Sequence, residues 1–152
     1  MDGLRYVPLA RTGTGRSHGW PARPRGRLRP RLRVHEPVTD AHSVAHVSAD
    51  LTGVGSGPLR DAALLSGLLI AAAGAAGLNA TGTPIVRSAP AGGISAVLFL
   101  DSGHVSIHSL PERGLALVDV LARDRTGADK ALEVFVRRLA PVSVTTDTRM
   151  RG

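Results

Sequence analysis

The 152-residue chain is long enough for one domain of ordinary size, and an apolar share of 43% is sufficient for a hydrophobic core. It contains no cysteine, which excludes disulfides, a thiolate nucleophile and cysteine-ligated zinc, and which is compatible with a reducing cytoplasm. Aromatic residues make up only 3% of the chain. This argues against base-stacking nucleic-acid modules and against a pocket that holds a flat ring between aromatic faces.

The basic charge is concentrated in the first 41 residues. The formal net charge is +7, but residues 1–41 contain nine arginines against three acidic residues, whereas the rest of the chain holds 10 basic and 9 acidic residues. Clustered Pro, Gly and Arg predict a disordered arm over residues 1–41, followed by one domain over residues 42–152. The arm is either a solvated extension, which we favour, or an electrostatic contact for nucleic acid or an anionic surface. It lacks the apolar region of a signal peptide.

The domain is predicted to begin with a strand and a helix. Residues 43–52 alternate in the manner of a strand. One side of this strand holds Val44, His46, Ser48 and Asp50. After a glycine-rich turn, Pro58 marks the start of a helix over residues 59–76, with Gly77 as its C-terminal cap. Residues 62–78 carry no charge, but this stretch is short for a membrane span and consists largely of Ala and Gly, so we predict a helix packed on a sheet.

The second half of the domain is predicted to contain further strands and one helix. Residues 94–101 are almost continuously apolar, which predicts a central strand covered on both faces. The other predicted elements are a short strand at 84–86, a strand through residues 104–108, a strand at 115–122, a helix at 126–139 and a last β-rich segment at 142–146. The order β-α-β-β-β-β-α-β predicts an α+β sandwich, a mostly antiparallel sheet with helices on one face.

The polar groups that are able to do chemistry lie mainly in residues 101–119. Val105 and Ile107 alternate with His104, Ser106 and His108, which predicts a strand with one buried face and one functional or solvated face. The i, i+4 spacing of the two histidines suits a zinc pair only on a helix. On a strand it spans about 13 Å, so we predict no metal site.

Two other readings concern the polar residues of this region. Asp101-Ser102-Gly103 resembles the tripeptide around the nucleophile of chymotrypsin-like proteases, but the chain is too short for that double barrel. Ser102 also does not lie in a Gly-x-Ser-x-Gly elbow, so we interpret the match as coincidence. Asp119 lies in an apolar strand, where it is read as a structural residue bonded to one of the histidines at the sheet ends.

Three segments after the arm together resemble the small prokaryotic S-adenosylmethionine decarboxylases. They read AHVSADL at residues 45–51, GISAVLFL at 93–100 and HVSIHSLPERGLALVDV at 104–120. The hallmark of that family has the form Glu-Ser-His-(apolar)-(Ser/Thr)-Ile-His-Thr-Trp-Pro-Glu-x-Gly. The resemblance implies the family fold, a homodimer, and a cytoplasmic pyruvoyl-dependent lyase that supplies aminopropyl groups for the polyamine spermidine.

The resemblance also implies roles for individual residues. In that family the proenzyme cleaves itself between Glu and Ser, and the Ser becomes a pyruvoyl group whose ketone forms a Schiff base with the substrate amine. By this resemblance Ser95 assists processing, His108 is the processing histidine, and Glu112 binds the ribose hydroxyls.

The chain departs from the family at the positions that carry the chemistry. Gly103 occupies the position of the pyruvoyl-forming serine, and Ser102 replaces the preceding glutamate. Arg123 falls on the catalytic cysteine, Leu110 on the tryptophan before Pro-Glu, and Ala89 on a phenylalanine that shapes the substrate pocket. Because glycine has no hydroxyl group, cleavage before residue 103 yields no pyruvoyl group.

Three hypotheses follow from these departures. The first is an unprocessed relative without a pyruvoyl group or metal, which binds a small amine or nucleoside-like ligand as a homodimer or regulates an active paralogue in a mixed dimer. The second is an active pyruvoyl-dependent decarboxylase of S-adenosylmethionine or another amino acid, self-cleaved at Ser102. The third is a nucleic-acid-associated protein that acts through the arm, which we do not favour.

Overall fold

The computed structural model of the chain describes residues 43–152. The predicted disordered arm over residues 1–41 lies outside the described residues, and so does the predicted start of the domain at residue 42. The fold and the site are therefore described for the domain alone.

Residues 43–152 form a six-stranded antiparallel sheet. Its strands are β1 (Val44–Thr52), β2 (Ile85–Ser88), β3 (Ile94–Leu100), β4 (Gly103–Leu110), β5 (Leu115–Ala122) and β6 (Ser143–Arg151). They are arranged in the order β2-β3-β4-β5-β1-β6, and every neighbouring pair runs antiparallel. The sheet therefore brings β3, β4 and β5 side by side. It also places β1, the first strand in the chain, next to β5.

Two long helices and one short helix complete the domain. They are α1 (Ser56–Arg60), α2 (Ala62–Ala75) and α3 (Arg125–Leu139), and a 3-10 turn at Pro111–Arg113 links β4 to β5. Helix α2 packs on β3 and β4, α3 packs on β1 and β5, and the two helices contact each other. The predicted α+β architecture, with an antiparallel sheet and helices on one face, is confirmed.

The first predicted helix is divided in two. Asp61 has an extended backbone, and its carboxylate accepts a hydrogen bond of 2.9 Å from the Leu64 backbone N–H. Asp61 thus caps α2 and separates it from α1, which already begins before Pro58. Gly77 follows the end of α2 with a φ of +69°, as its predicted role as a cap requires. No helix within residues 43–152 has the length and apolar character needed to cross a bilayer.

The prediction that residues 94–101 are covered on both faces is wrong. On the helix side of β3, Ile94, Ala96, Leu98 and Leu100 are buried. The residues between them face the other side, where Phe99 is 54% exposed. The reason is that α2 and α3 lie on the same face of the sheet, so an apolar run is not evidence of two covered faces. The last strand is also longer than predicted, because β6 pairs along the full length of β1.

A buried polar side chain connects α1 to the sheet. The Ser109 hydroxyl accepts a hydrogen bond of 2.8 Å from the Ile94 N–H and donates one of 2.7 Å to the Leu59 carbonyl. These bonds satisfy backbone groups that burial would otherwise leave unpaired. The remaining core is apolar and lies between the helices and the sheet. The opposite face of the sheet remains open, and it carries the polar residues of β4.

Candidate functional site

The open face of the sheet gathers polar side chains from three neighbouring strands. The side chains from β4 are His104, Ser106 and His108, as the alternation predicts. The register places Ser95 of β3 directly opposite His108, and Asp119 of β5 directly opposite Ser106. The antiparallel register thus brings residues that are far apart in sequence onto one surface.

A cavity of about 370 Å³ lies on this face above β2, β3 and β4. It is lined by Ile85, Arg87, Ser95, Ala96, Val97, Phe99, His104, Ser106 and His108. The volume falls within the range of small-molecule sites, and the combination of apolar walls with a few polar groups is typical of such sites. The cavity is therefore the candidate binding site of the domain.

The two residues expected to assist processing meet in this cavity. The Oγ atom of Ser95 lies 2.8 Å from Nδ1 of His108, a hydrogen-bonding distance. In its neutral form the imidazole can accept the hydroxyl proton through that nitrogen, and its other nitrogen is then the donor. The pair can therefore bind a polar group of a ligand and can exchange a proton with it.

Asp119 bonds to two histidines rather than to one. Its Oδ2 lies 2.7 Å from Nε2 of His46, and its Oδ1 lies 2.9 Å from Nε2 of His104. This is possible because β5 lies between β1 and β4 in the sheet. An ionised carboxylate only accepts hydrogen bonds, so in these two contacts the Nε2 atoms of the histidines are assigned as the donors. The network fixes the orientation of the His104 ring, which lines the cavity.

Ser102 lies in the tight turn between β3 and β4. Leu100 pairs with Gly103, so the connection consists of Asp101 and Ser102 alone. The Ser102 hydroxyl donates a hydrogen bond of 3.2 Å to Oδ1 of Asp101. The Arg123 guanidinium lies 3.9 Å from the other carboxylate oxygen of Asp101, and its side chain is 70% exposed. The fold thus brings together, at one end of the sheet, the residues that the resemblance assigns to the cleavage site and to the cysteine. They lie outside the cavity lining.

The backbone of Gly103 packs directly against β5. A Cβ atom built on Gly103 would lie 2.7 Å from the carbonyl carbon of Leu121 and would overlap the oxygen of that carbonyl. Real Cβ contacts do not come this close to backbone atoms, so a larger residue requires the strand to move. In this conformation the position that the resemblance assigns to the pyruvoyl-forming serine has no room for a Cβ atom.

The two predicted ligand-binding residues lie at the other end of β4. Glu112 belongs to the 3-10 turn and forms an ion pair with Arg60, with 3.6 Å between Oε2 and Nη2. Both side chains are about half exposed. Leu110 ends β4 opposite Leu115. Neither Glu112 nor Leu110 lines the cavity, whereas Ser95 and His108 do. Ala89 lies in the turn after β2, where its N–H donates to the Gly93 carbonyl.

The described part of the chain contains no group of three or more His, Asp or Glu side chains arranged to hold a metal ion. His104 and His108 lie on a strand rather than on a helix, as predicted, and they bond to different partners. The i, i+4 spacing in the sequence therefore does not produce a two-histidine metal site here.

Sequence reasoning missed Arg87, Ile85 and Phe99 as residues of the cavity. Phe99 could have been placed on the open face, because it lies four residues from Ser95 on the same strand. Arg87 pairs with Ser95, and Ile85 pairs with Val97, across the β2–β3 ladder. That register depends on the turn between the two strands and is not evident from the β2 sequence alone.

The domain is an α+β sandwich of the type that the sequence resemblance implies. Its antiparallel sheet has helices on one face and the serine–histidine cavity on the other. A profile of the S-adenosylmethionine decarboxylase family matches residues 45–152. The chain therefore belongs to the S-adenosylmethionine decarboxylase family.

Individual relatives agree with this assignment. The chain is 34% identical over 100 residues to the S-adenosylmethionine decarboxylase proenzyme of Pyrobaculum aerophilum, which covers 65% of this chain and 80% of the relative. It is 32% identical over 108 residues to the proenzyme of Aquifex aeolicus, covering 70% of this chain and 79% of the relative. The crystal structure of the adenosylmethionine decarboxylase from Aquifex aeolicus is similar with a TM-score of 0.67 and 31% identity, covering 72% of this chain and 90% of that chain.

Proposed function

We propose that this chain is an unprocessed member of its family, which forms no pyruvoyl group and binds a small ligand in the cavity on the open face. The observation that carries the proposal is Gly103. This residue has no hydroxyl to attack a neighbouring carbonyl, and its backbone lies so close to Leu121 that a side chain at this position would require the strand to move. The residues present therefore do not suit a pyruvoyl group at the family's position.

The surroundings of Gly103 support the same proposal. Arg123 stands where the family has its cysteine, and it pairs with Asp101 instead of offering a thiol for proton transfer. A guanidinium remains protonated in proteins, so Arg123 cannot replace that proton donor. At the two positions where the resemblance expects a serine and a cysteine, the chain thus offers neither a hydroxyl nor a thiol.

The cavity retains the features of a binding site. Ser95 and His108 keep a hydrogen bond, and Asp119 fixes the orientation of His104. The resemblance led us to expect a small amine or nucleoside-like ligand, with Glu112 on the ribose. Glu112 is paired with Arg60 outside the cavity, which argues against that contact in a single chain. Binding without covalent chemistry is the function that this arrangement supports best.

A second copy of the chain is part of the same proposal, because the resemblance implies a homodimer. A mixed dimer would replace one of the two copies with a paralogue. The nucleic-acid alternative depends on residues 1–41, which lie outside the described part of the chain, and it stays a prediction.

One observation favours the alternative of an active decarboxylase cleaved at Ser102. The Ser102 hydroxyl bonds to the Asp101 carboxylate, and a carboxylate can accept a proton from a nucleophilic hydroxyl. Cleavage between Asp101 and Ser102 would then convert Ser102 into the pyruvoyl group. The turn lies one residue from the family's cleavage position, so this alternative needs a direct test.

We expect the purified full-length chain to release no more carbon dioxide from S-adenosylmethionine, or from any common amino acid, than its Ser102→Ala variant does. The reason is that neither chain then carries the electron-accepting ketone that decarboxylation requires. The adenosylmethionine decarboxylase of Aquifex aeolicus, assayed under the same conditions, is the positive control. Carbon dioxide release by the parent chain that is lost in Ser102→Ala would establish the active decarboxylase instead.

A further inference from the structure

The cavity carries positive charge and no negative charge among its lining residues. Arg87 lines it and has no Asp or Glu within ion-pair distance in residues 43–152. One guanidinium N–H bonds to the Val86 carbonyl at 3.0 Å, which leaves other donors available. The carboxylate of Asp119 lies on the neighbouring strand, where His46 and His104 occupy one oxygen each. An amine in the cavity would therefore lack an acidic partner, whereas an anion would find a basic partner in Arg87.

The other side of the cavity is apolar and contains an aromatic ring. Phe99 is 54% exposed and Ile85 is 45% exposed, although both are large apolar side chains, and both line the cavity together with Val97. Phe99 lies four residues along β3 from Ser95, the residue that pairs with Arg87. Four strand residues span about 13 Å. Arg87 and Phe99 both line the cavity, so a ligand with a short linker between its ring and its acid group can contact both.

We propose that this cavity binds a small carboxylate with an apolar or aromatic body, with Arg87 pairing with the carboxylate and Phe99 packing on the body. The inference rests on the proposed function in that it takes the cavity as a ligand site. It replaces the amine expected from the sequence by an acid. Neither Arg87 nor Phe99 was singled out by the sequence pattern, and the class of ligand follows from their placement.

The number of charges favours a monoanion. Arg87 is the one permanently charged side chain that lines the cavity. The neighbouring donors are the hydroxyl groups of Ser95 and Ser106 and the rings of two histidines. A planar guanidinium binds a carboxylate through two parallel N–H bonds. A phosphate monoester carries up to two negative charges at neutral pH and would be incompletely compensated by a single arginine.

The test is a titration of the full-length chain with two probes of the same size and opposite charge. The probes are 3-phenylpropionate and 3-phenylpropylamine, and binding is followed by backbone amide NMR shifts at neutral pH. We expect 3-phenylpropionate to bind at least about tenfold more tightly, with the largest shifts in β2, β3 and β4. We also expect Arg87→Gln to weaken the binding of 3-phenylpropionate about tenfold and to leave that of the amine unchanged, since tenfold corresponds to the loss of about one charged hydrogen bond.

Variants of the apolar wall and of distant sites complete the design. Phe99→Ala should weaken the binding of both probes, because it removes the shared contact with the ring. Arg138→Gln on α3 makes the same charge change on the helix side, and Met150→Ala removes an exposed apolar side chain from β6, so neither should alter binding. 2-Phenylethyl phosphate should bind no more tightly than the carboxylate.

Several results would overturn the inference. These are equal or tighter binding of the amine, an unchanged affinity in Arg87→Gln, tighter binding of the phosphate, or no binding of either probe at millimolar concentration. The proposed function fails on a different observation, namely cleavage of the chain. A cleaved chain that still prefers the carboxylate would refute the proposed function and leave the ligand class standing.

Discussion

Replacing Gly103 with alanine is expected to lower the free energy of unfolding by about 1–3 kcal/mol, as overpacking of a close contact does. The added Cβ would overlap the Leu121 carbonyl, so the start of β4 must move away from the end of β5. Chemical denaturation followed by circular dichroism measures the change. Gly67→Ala is the matched control, because Gly67 lies in α2 with open space around its Cβ position. That change should raise the stability by about 0.5–1 kcal/mol.

The Gly103→Ser variant extends this prediction to processing. It restores the residue type that the family uses, but we expect the chain to remain uncleaved and to be destabilised like Gly103→Ala. The serine Cβ would meet the same carbonyl, and Ser102 rather than glutamate would precede it. Self-cleavage of Gly103→Ser, seen as two fragments by mass spectrometry, would show that a single substitution is what separates this chain from an active proenzyme.

Replacing Asp119 with alanine is expected to lower the free energy of unfolding by about 2–3 kcal/mol. The change removes two hydrogen bonds to a charged group, each typically worth about 1.5–3 kcal/mol when buried, and the smaller total reflects partial exposure. The exposed fractions are 32% for the Asp119 side chain, 24% for His46 and 33% for His104. Thermal and urea denaturation at neutral pH measure the loss.

Two comparisons separate this network from a general effect of losing a carboxylate. Asp50→Ala removes an exposed acid from the same sheet and should change stability by no more than about 0.5 kcal/mol. In a chain that already carries His46→Ala and His104→Ala, the further change Asp119→Ala should cost much less than it does alone, because its partners are gone. An equal cost in both backgrounds would contradict the role assigned to the network.

Local patterns predicted the elements of this fold well where one face of the element is buried. The alternation of β4 placed His104, Ser106 and His108 on one side, and the helical spacing of residues 126–139 predicted α3, which spans Arg125–Leu139. These successes share a cause: the sheet buries one face, so the hydrophobic period records the direction of each side chain. Residues 94–101 lacked that period, and their open face was missed.

The parts of the site that the sequence did not predict depend on contacts between distant segments. The bonds from Asp119 to both histidines require β5 to lie between β4 and β1, an order that is not sequential in the chain. The cavity depends on the register that sets Arg87 opposite Ser95 and Ile85 opposite Val97. The division of the first helix depends on Asp61, which caps α2. The sequence did not indicate this break, because Asp61 is followed by a long run of helix-forming residues.

The consequence of Gly103 was only partly visible in the sequence. The missing hydroxyl follows from the residue type, but the close approach of its backbone to Leu121 requires the β4–β5 ladder to be known. The two observations reinforce each other. The missing hydroxyl removes the nucleophile, and the close contact with Leu121 opposes the substitution of Gly103 by serine. The proposal of an unprocessed chain therefore rests on the packing around residue 103 as well as on the residue type.

The mass of the intact chain tests the central proposal most directly. Electrospray mass spectrometry of the freshly purified full-length protein is predicted to give a single uncleaved species of 15.8 kDa. The Ser102→Ala variant is predicted to be uncleaved as well. Two fragments in the parent chain, divided between Asp101 and Ser102 with a blocked N-terminus on the second fragment, and their absence in Ser102→Ala, would contradict it.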